Sequence, residues 1–194
     1  MKINSGFLLA ILVSGAAISP AMAGSLYAAL DIGQSKGRDI CANNPAGVTG
    51  CEDTATMYRL AGGYQLTPMW GAEASYAEYG SSNIGTGFGT TGTWRANGFQ
   101  ISGTGTFPIG NAFSIIGKLG VATTDFKMSA SGLGTSVGLN ETTTKFAFGV
   151  GAKYDFTDNI AIRAQYEDLG TVGNAATTGT TKLTILSAGL VFKF

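Results

Sequence analysis

Between Lys145 and Phe156 the even positions read Phe146, Phe148, Val150, Ala152, Tyr154 and Phe156, and the odd positions read Lys145, Ala147, Gly149, Gly151, Lys153 and Asp155. A period of two is that of a β-strand, whose successive side chains point to opposite faces. One face here suits hydrocarbon, while the other carries charge beside glycine. A water-soluble barrel places apolar side chains inside and charge outside. The reverse arrangement, with charges among glycines, belongs to the narrow lumen of a sheet whose outside meets lipid. The split recurs in Ile160, Ile162, Ala164 and Tyr166 against Ala161, Arg163, Gln165 and Glu167, and in Leu60, Gly62, Tyr64 and Leu66 against Arg59, Ala61, Gly63 and Gln65. Such a sheet must close on itself, because lipid satisfies no open backbone edge. The 30 glycines of the chain fit a crowded interior.

Alternating stretches run over 25–35, 54–66, 70–80, 93–107, 112–126, 142–156, 160–169 and 181–194, which predicts eight strands. The connections alternate in length: long at 36–53, 81–92, 127–141 and 170–180, short at 67–69, 108–111 and 157–159. Short turns on one rim and long loops on the other predict an all-β fold, an eight-stranded antiparallel up-and-down transmembrane barrel with both termini on the short-turn side. Tyr64, Trp70, Phe107, Phe113, Tyr154, Phe156, Phe192 and Phe194 fall near that rim, where an interfacial aromatic girdle is expected.

The N-terminal segment has a different design. Lys2 opens a short basic stretch, 6–18 is mostly apolar, and Ser19-Pro-Ala-Met-Ala23 ends in a small-x-small pattern. This is shorter than the about 20 residues a transmembrane helix needs. It predicts a signal peptide over 1–23, cleaved between Ala23 and Gly24, and a barrel domain over 24–194. At the other end, Ser187-Ala-Gly-Leu-Val-Phe-Lys-Phe194 resembles the C-terminal assembly signal of outer-membrane barrels at Ser187, Gly189, Phe192 and Phe194. Leu26-Tyr-Ala-Ala-Leu-Asp-Ile-Gly33, Gly62-Gly-Tyr-Gln-Leu-Thr-Pro68, Trp70-Gly-Ala-Glu-Ala-Ser-Tyr76 and Arg163-Ala-Gln-Tyr-Glu167 extend the likeness across the rest of the chain. It resembles the small eight-stranded outer-membrane proteins, the family of the outer membrane protein A transmembrane domain and of outer membrane protein X. The resemblance implies the outer membrane of a Gram-negative bacterium, with loops extracellular and mature termini periplasmic. It further implies lipid and lipopolysaccharide as surroundings, and periplasmic chaperones and the barrel-assembly machinery during biogenesis. The sequence stops at the barrel, so no peptidoglycan-binding domain is expected.

Composition bounds the chemistry. The chain has 12 basic and 12 acidic residues and no histidine. Balanced charge gives no reason to expect nucleic acid as a partner. Outer-membrane barrels that are enzymes commonly use histidine as general base, so no catalytic residue, no metal site and no cofactor is expected. Gly149-Val-Gly-Ala-Lys153 lacks the remainder of a phosphate loop and lies inside a strand. Cys41 and Cys51 share the first long loop, and export to an oxidising compartment predicts a disulfide between them, worth about 3 kcal/mol in the chain-entropy model.

Asp31, Arg59, Glu73, Lys118, Lys153, Asp155, Arg163 and Glu167 take the inward parity and predict a compensated lumen network. The short turn at 157–159 sets Lys153 nearly opposite Arg163, a repulsion that Asp155, or Glu73 across the lumen, must relieve. The structural reading is a plug and the functional one a gate; the interior of eight strands is small enough to fill, which favours the plug. Lys36, Arg95, Lys127 and Lys182 take the outward parity near the long-loop rim, with Glu78 and Asp168 of opposite sign. They are candidate contacts for lipopolysaccharide phosphates. The long loops, rich in Gly, Ser and Thr, read as mobile connections exposed to an extracellular ligand, such as a host surface or a phage. The expected function is an envelope-structural and surface-interaction barrel without catalysis, its rival a narrow small-solute or ion channel.

Overall fold

A computed structural model describes residues 24–38, 53–86, 90–132, 135–174 and 179–194. The strands are β1 (Ser25–Arg38), β2 (Thr54–Gln65), β3 (Trp70–Thr86), β4 (Thr90–Pro108), β5 (Phe113–Gly132), β6 (Thr135–Asp155), β7 (Ile160–Asn174) and β8 (Gly179–Lys193). Each pairs antiparallel with the next, and β1 pairs antiparallel with β8, so the eight-stranded sheet closes into a barrel. At the seam the register joins Tyr27 to Lys193 at one rim and Arg38 to Lys182 at the other. The Phe194 amide adds a last bond to the Leu26 carbonyl at 2.9 Å.

At the short-turn rim, expected and observed strand ends agree within about two residues. Two of the turns there share one device. The Thr67 hydroxyl accepts from the Trp70 amide at 2.9 Å, and the Thr157 hydroxyl accepts from the Ile160 amide at 3.0 Å. Backbone bonds from Leu66 to Trp70 and from Phe156 to Ile160 close the same turns. A threonine three residues before the next strand thus replaces a backbone acceptor.

The opposite rim departs from expectation. Residues 81–86 and 90–92 continue β3 and β4 where one long loop was expected, and 127–132 and 135–141 continue β5 and β6. The 170–180 connection is also mostly strand. These are hairpins, not irregular connections. The hydrophobic alternation fades above the apolar band, but the backbone ladder does not need it: these strand ends of mostly Gly, Ser and Thr keep pairing in water, where no face has to be apolar.

Two bulges interrupt the ladders, between Glu78 and Gly80 on β3 and between Asp168 and Thr171 on β7. Each contains a glycine of positive φ, Gly80 at 96° and Gly170 at 75°, a conformation other residues adopt at a cost. Each glycine follows a large apolar residue turned into the lumen. Tyr79 is 1 % exposed and Leu169 0 %.

Outside, the barrel is apolar, with Phe146, Leu186 and Leu119 among the large side chains left exposed. Patches of that extent are unfavourable in water and fit a hydrocarbon surrounding. At the short-turn rim, Trp70 packs edge-on to Phe107 with centroids 5.9 Å apart, and Tyr154 to Phe156 at 5.1 Å. Both pairs lie in the expected girdle.

Candidate functional site

The lumen is where the chain concentrates chemistry, and its charges form a ring. Arg59 on β2 donates through Nε to Asp31 Oδ2 on β1 at 2.8 Å and through a terminal nitrogen to Glu167 on β7. Lys118 on β5 lies 3.5 Å from Glu167 Oε2 and donates to Glu73 Oε1 on β3 at 2.7 Å. Arg163 on β7 donates to Glu73 Oε2 at 2.5 Å and returns to Asp31 through two bonds of 2.8 and 2.7 Å. Signs therefore alternate all the way round: Asp31, Arg59, Glu167, Lys118, Glu73, Arg163. The six side chains are between 0 % and 4 % exposed. Three acids meet three bases, so the ring carries no formal net charge, which is the condition for burying ions behind a lipid-facing wall.

Neutral groups complete the coordination. Gln165 and Ser187 accept from Arg59 at 2.9 and 3.1 Å, Gln100 donates to Glu167 at 3.2 Å, and the Tyr27 hydroxyl donates to Glu73 at 2.9 Å. Strand β6 contributes space. A Cβ at Gly149 or Gly151 would run into Glu167 or Gln165. Gly189 of β8 sits against Asp31 in the same way, so the terminal motif supplies the ring with Ser187 as a ligand and Gly189 as clearance.

Two of the eight expected network members stand apart. Lys153 and Arg163 are in register, as the turn length required, but Lys153 pairs with Asp155 at 3.3 Å near the short-turn rim, in a half-exposed setting. Asp155 also accepts from Lys193 at 2.9 Å. The repulsion is thus relieved by both proposed routes, Asp155 taking Lys153 and Glu73 taking Arg163. The expected single network is corrected to a buried ring and a separate rim cluster, because Lys153 and Asp155 lie close enough to the strand ends to reach water. Lys193 was missed; its inward parity, opposite Phe192 and Phe194, was the available signal.

Between the rim and the ring lies a cavity of about 120 Å³, lined by Tyr27, Glu73, Thr104, Lys153, Arg163 and Gln165. The Gln165 Nε2 amide is buried without a protein partner, and the cavity has room for a few waters.

On the other side of the ring the lumen changes character. Tyr79, Met57, Leu169, Leu183 and Ile185 form one buried apolar cluster with alanines of β3, β4, β5 and β6. The Ser35 hydroxyl donates to the Tyr79 carbonyl at 2.5 Å, bracing the β3 bulge. A lumen of glycine and small polar residues was expected throughout; here it is filled by bulky hydrophobes. Parity was the signal in the sequence: Tyr79 and Leu169 continue the inward positions of Glu73 and Glu167, within the triplets Glu78-Tyr79-Gly80 and Asp168-Leu169-Gly170. At the second triplet the Asp168 carboxylate accepts from the Gly170 amide at 2.9 Å.

The outward cations divide. Lys36 lies 3.5 Å from Asp53, and Lys182 lies 2.7 Å from Asp168. The Asp53 carboxyl, with a Thr54 hydroxyl donating to it and Lys36 nearby, titrates below its ordinary range. Arg95 and Lys127 have no carboxylate within ion-pair distance among the described residues and face each other in register across β4 and β5. Ala23, Cys41 and Cys51 lie outside the described residues. Among the described residues no cluster of acids and cysteines could hold a metal ion, and no helix is long and apolar enough to cross a membrane.

A family model, the OmpA-like transmembrane domain, matches residues 21–194. The chain belongs to this family. It is therefore a β-barrel of the Gram-negative outer membrane. Outer membrane protein A of Salmonella typhi is 32 % identical over 136 residues, which cover 69 % of this chain and 38 % of the relative, so the chain spans well under half of the length of that protein. Among solved structures, Ail of Yersinia pestis, crystallised with the heparin analogue sucrose octasulfate, superposes with a TM-score of 0.57 at 20 % identity, over 88 % of this chain and 100 % of that one. OprG of Pseudomonas aeruginosa reaches 0.59 at 14 % identity, over 89 % and 97 %. These likenesses establish the fold alone.

Proposed function

We propose that this OmpA-like barrel is a closed envelope-structural protein that meets its surroundings through the long hairpins, with no catalysis in its lumen. The observation that carries the reading is the double closure of the lumen, by a neutral ring of buried ion pairs and by the apolar cluster beside it. A pathway sealed by unlike materials at two levels is poorly suited to flux, which leaves the outer surface as the working part. Hairpins that stand beyond the apolar band are stiffer platforms than loops and suit contact with a host surface, a phage or a neighbouring cell. Ail was solved with a sulfated sugar, which makes sucrose octasulfate a practical first probe for them.

In this reading the short-turn rim and both mature termini are periplasmic and the hairpins extracellular. Residues 1–23 are removed after Ala23, and Cys41 and Cys51 form a disulfide outside the cell. Ser187, Gly189, Phe192 and Phe194 hand the chain to the barrel-assembly machinery. Deleting Phe194 is expected to lower the yield in the outer membrane, read by quantitative blotting of membrane fractions.

The rival reading, a narrow channel, is favoured by one feature, the cavity beside Glu73, Lys153 and Arg163 that leads from the short-turn rim to the ring. Conductance of the barrel refolded into sealed liposomes decides between the two. Flux at the level of a heat-inactivated control is expected. Reproducible open states that respond to Glu73→Ala would overturn the closed reading and make the ring a gate.

A further inference from the structure

The outward face of β4 and β5 changes composition in register. Ile101 pairs with Val121, Phe99 with Thr123, Asn97 with Asp125, and Arg95 with Lys127. The last lipid-compatible layer is therefore that of Phe99, and the two cations stand four residues beyond it. At about 3.3 Å per residue and about 40° of tilt this is about 10 Å of barrel height, at the outer edge of the about 5–8 Å of headgroup that borders the hydrocarbon on each side. Like charges directly opposite on neighbouring strands are destabilising, so a cation pair held in that position calls for an anion from elsewhere.

A second pair makes the contrast. Arg38 and Lys182 also face each other in register, on β1 and β8. There the chain provides its own acid, Asp168, 2.7 Å from Lys182. Among the described residues no carboxylate lies within ion-pair distance of Arg95 or Lys127; Asp125, two residues from Lys127 on the same face, accepts from the Thr142 hydroxyl instead. The chain provides a groove here, of about 680 Å³, lined among others by Thr56, Tyr58, Tyr76, Glu78, Arg95 and Lys127. The groove lies where the β3 bulge shifts the ladder, with two tyrosines toward the lipid side and two cations toward the hairpins. Glu78 is its single acid, leaving the groove a formal charge of +1. A ligand that fits presents a phosphate to the cations and an amphipathic sugar and acyl body to the tyrosines.

We propose that Arg95 and Lys127 clamp a phosphate of the phosphorylated glycolipid of the outer leaflet, with Tyr58 and Tyr76 against its sugar. The guanidinium offers a planar fork and the ammonium a point charge to the same phosphate. Lys36 and Lys182, engaged with Asp53 and Asp168, are not part of the site. The inference rests on the reading that the hairpin rim lies outside.

The test is a titration of the full mature barrel, refolded in detergent, with lipid A bearing both phosphates and with its dephosphorylated form. Bound lipid is counted by native mass spectrometry. Tight binding of the phosphorylated form is expected, weakened about tenfold or more in R95Q/K127Q and left within about twofold in the control K36Q. Unchanged heat-modifiable gel mobility shows that the variants are folded. Equal binding by the double variant and the wild type, or equal binding of dephosphorylated lipid A, would overturn the clamp. Displacement by sucrose octasulfate at matching concentration would overturn the assignment to a membrane lipid and make it a site for soluble anions. Micelles impose no orientation, so protease access to the hairpins in intact cells tests the outside placement separately.

Discussion

The two halves of the lumen solve one packing problem with opposite materials. Toward the short turns, six ions are buried in alternating order and fixed by direct bonds, so the cost of leaving water is offset only while every partner is present. Toward the hairpins, Tyr79, Met57, Leu169, Leu183 and Ile185 fill the same cross-section by volume, and each contributes nearly independently. A ring of ions is cooperative and specific in geometry; an apolar cluster is tolerant. The ring therefore sets the register of five strands, whereas the cluster needs only enough bulk.

This contrast can be broken most forcefully at the ring. Arg59→Met removes one cation and strands Asp31 and Glu167 without it, for an expected loss of about 3–5 kcal/mol in urea unfolding from lipid vesicles. A loss below about 1 kcal/mol would mean that the ions are locally hydrated and that the cooperative account is wrong. Tyr79→Ala at the cluster is expected to cost about 3 kcal/mol in the same assay, with flux still at leak level because the ring remains. Combining Tyr79→Ala with Glu73→Ala removes both seals, and single-channel recording is then expected to show openings that neither variant shows alone. The bulge beneath the cluster gives a smaller effect. Gly80→Ala is expected to cost about 1–2 kcal/mol, since an alanine at that positive φ is strained and its Cβ would meet the Ala55 side chain and the Thr56 backbone. The rim sharpens the comparison from below. Lys153→Gln, in a half-exposed pair with Asp155, is expected to change the unfolding midpoint by less than about 1 kcal/mol.

The sequence reached the ring more surely than the cluster for a physical reason. Charges at inward parity in a lipid-facing barrel have nowhere to go but toward each other, so naming Asp31, Arg59, Glu73, Lys118, Arg163 and Glu167 follows from alternation alone. Hydrophobes carry no such obligation. Tyr79 and Leu169 continue the inward parity of Glu73 and Glu167, but at the end of an alternating stretch an apolar residue is held to no partner, and only packing across the barrel shows that they fill the lumen. The hairpins were shortened for a related reason: hydrophobic periodicity marks where a strand meets lipid, not where its backbone stops pairing.

Alternation, turn spacing and charge parity thus determined by themselves that the chain closes into an eight-stranded barrel with ions inside, because period two and lipid leave no other way to satisfy backbone and charge together. The tertiary structure decided which ions bond to which, that Lys153 and Asp155 belong to the rim, and that one apolar cluster fills the far half of the lumen. It also decided that two of four outward cations already have partners. Those outcomes depend on register across the barrel and on contacts between strands far apart in the chain, such as Asp31 with Arg163 and Arg59 with Glu167, which no local pattern encodes.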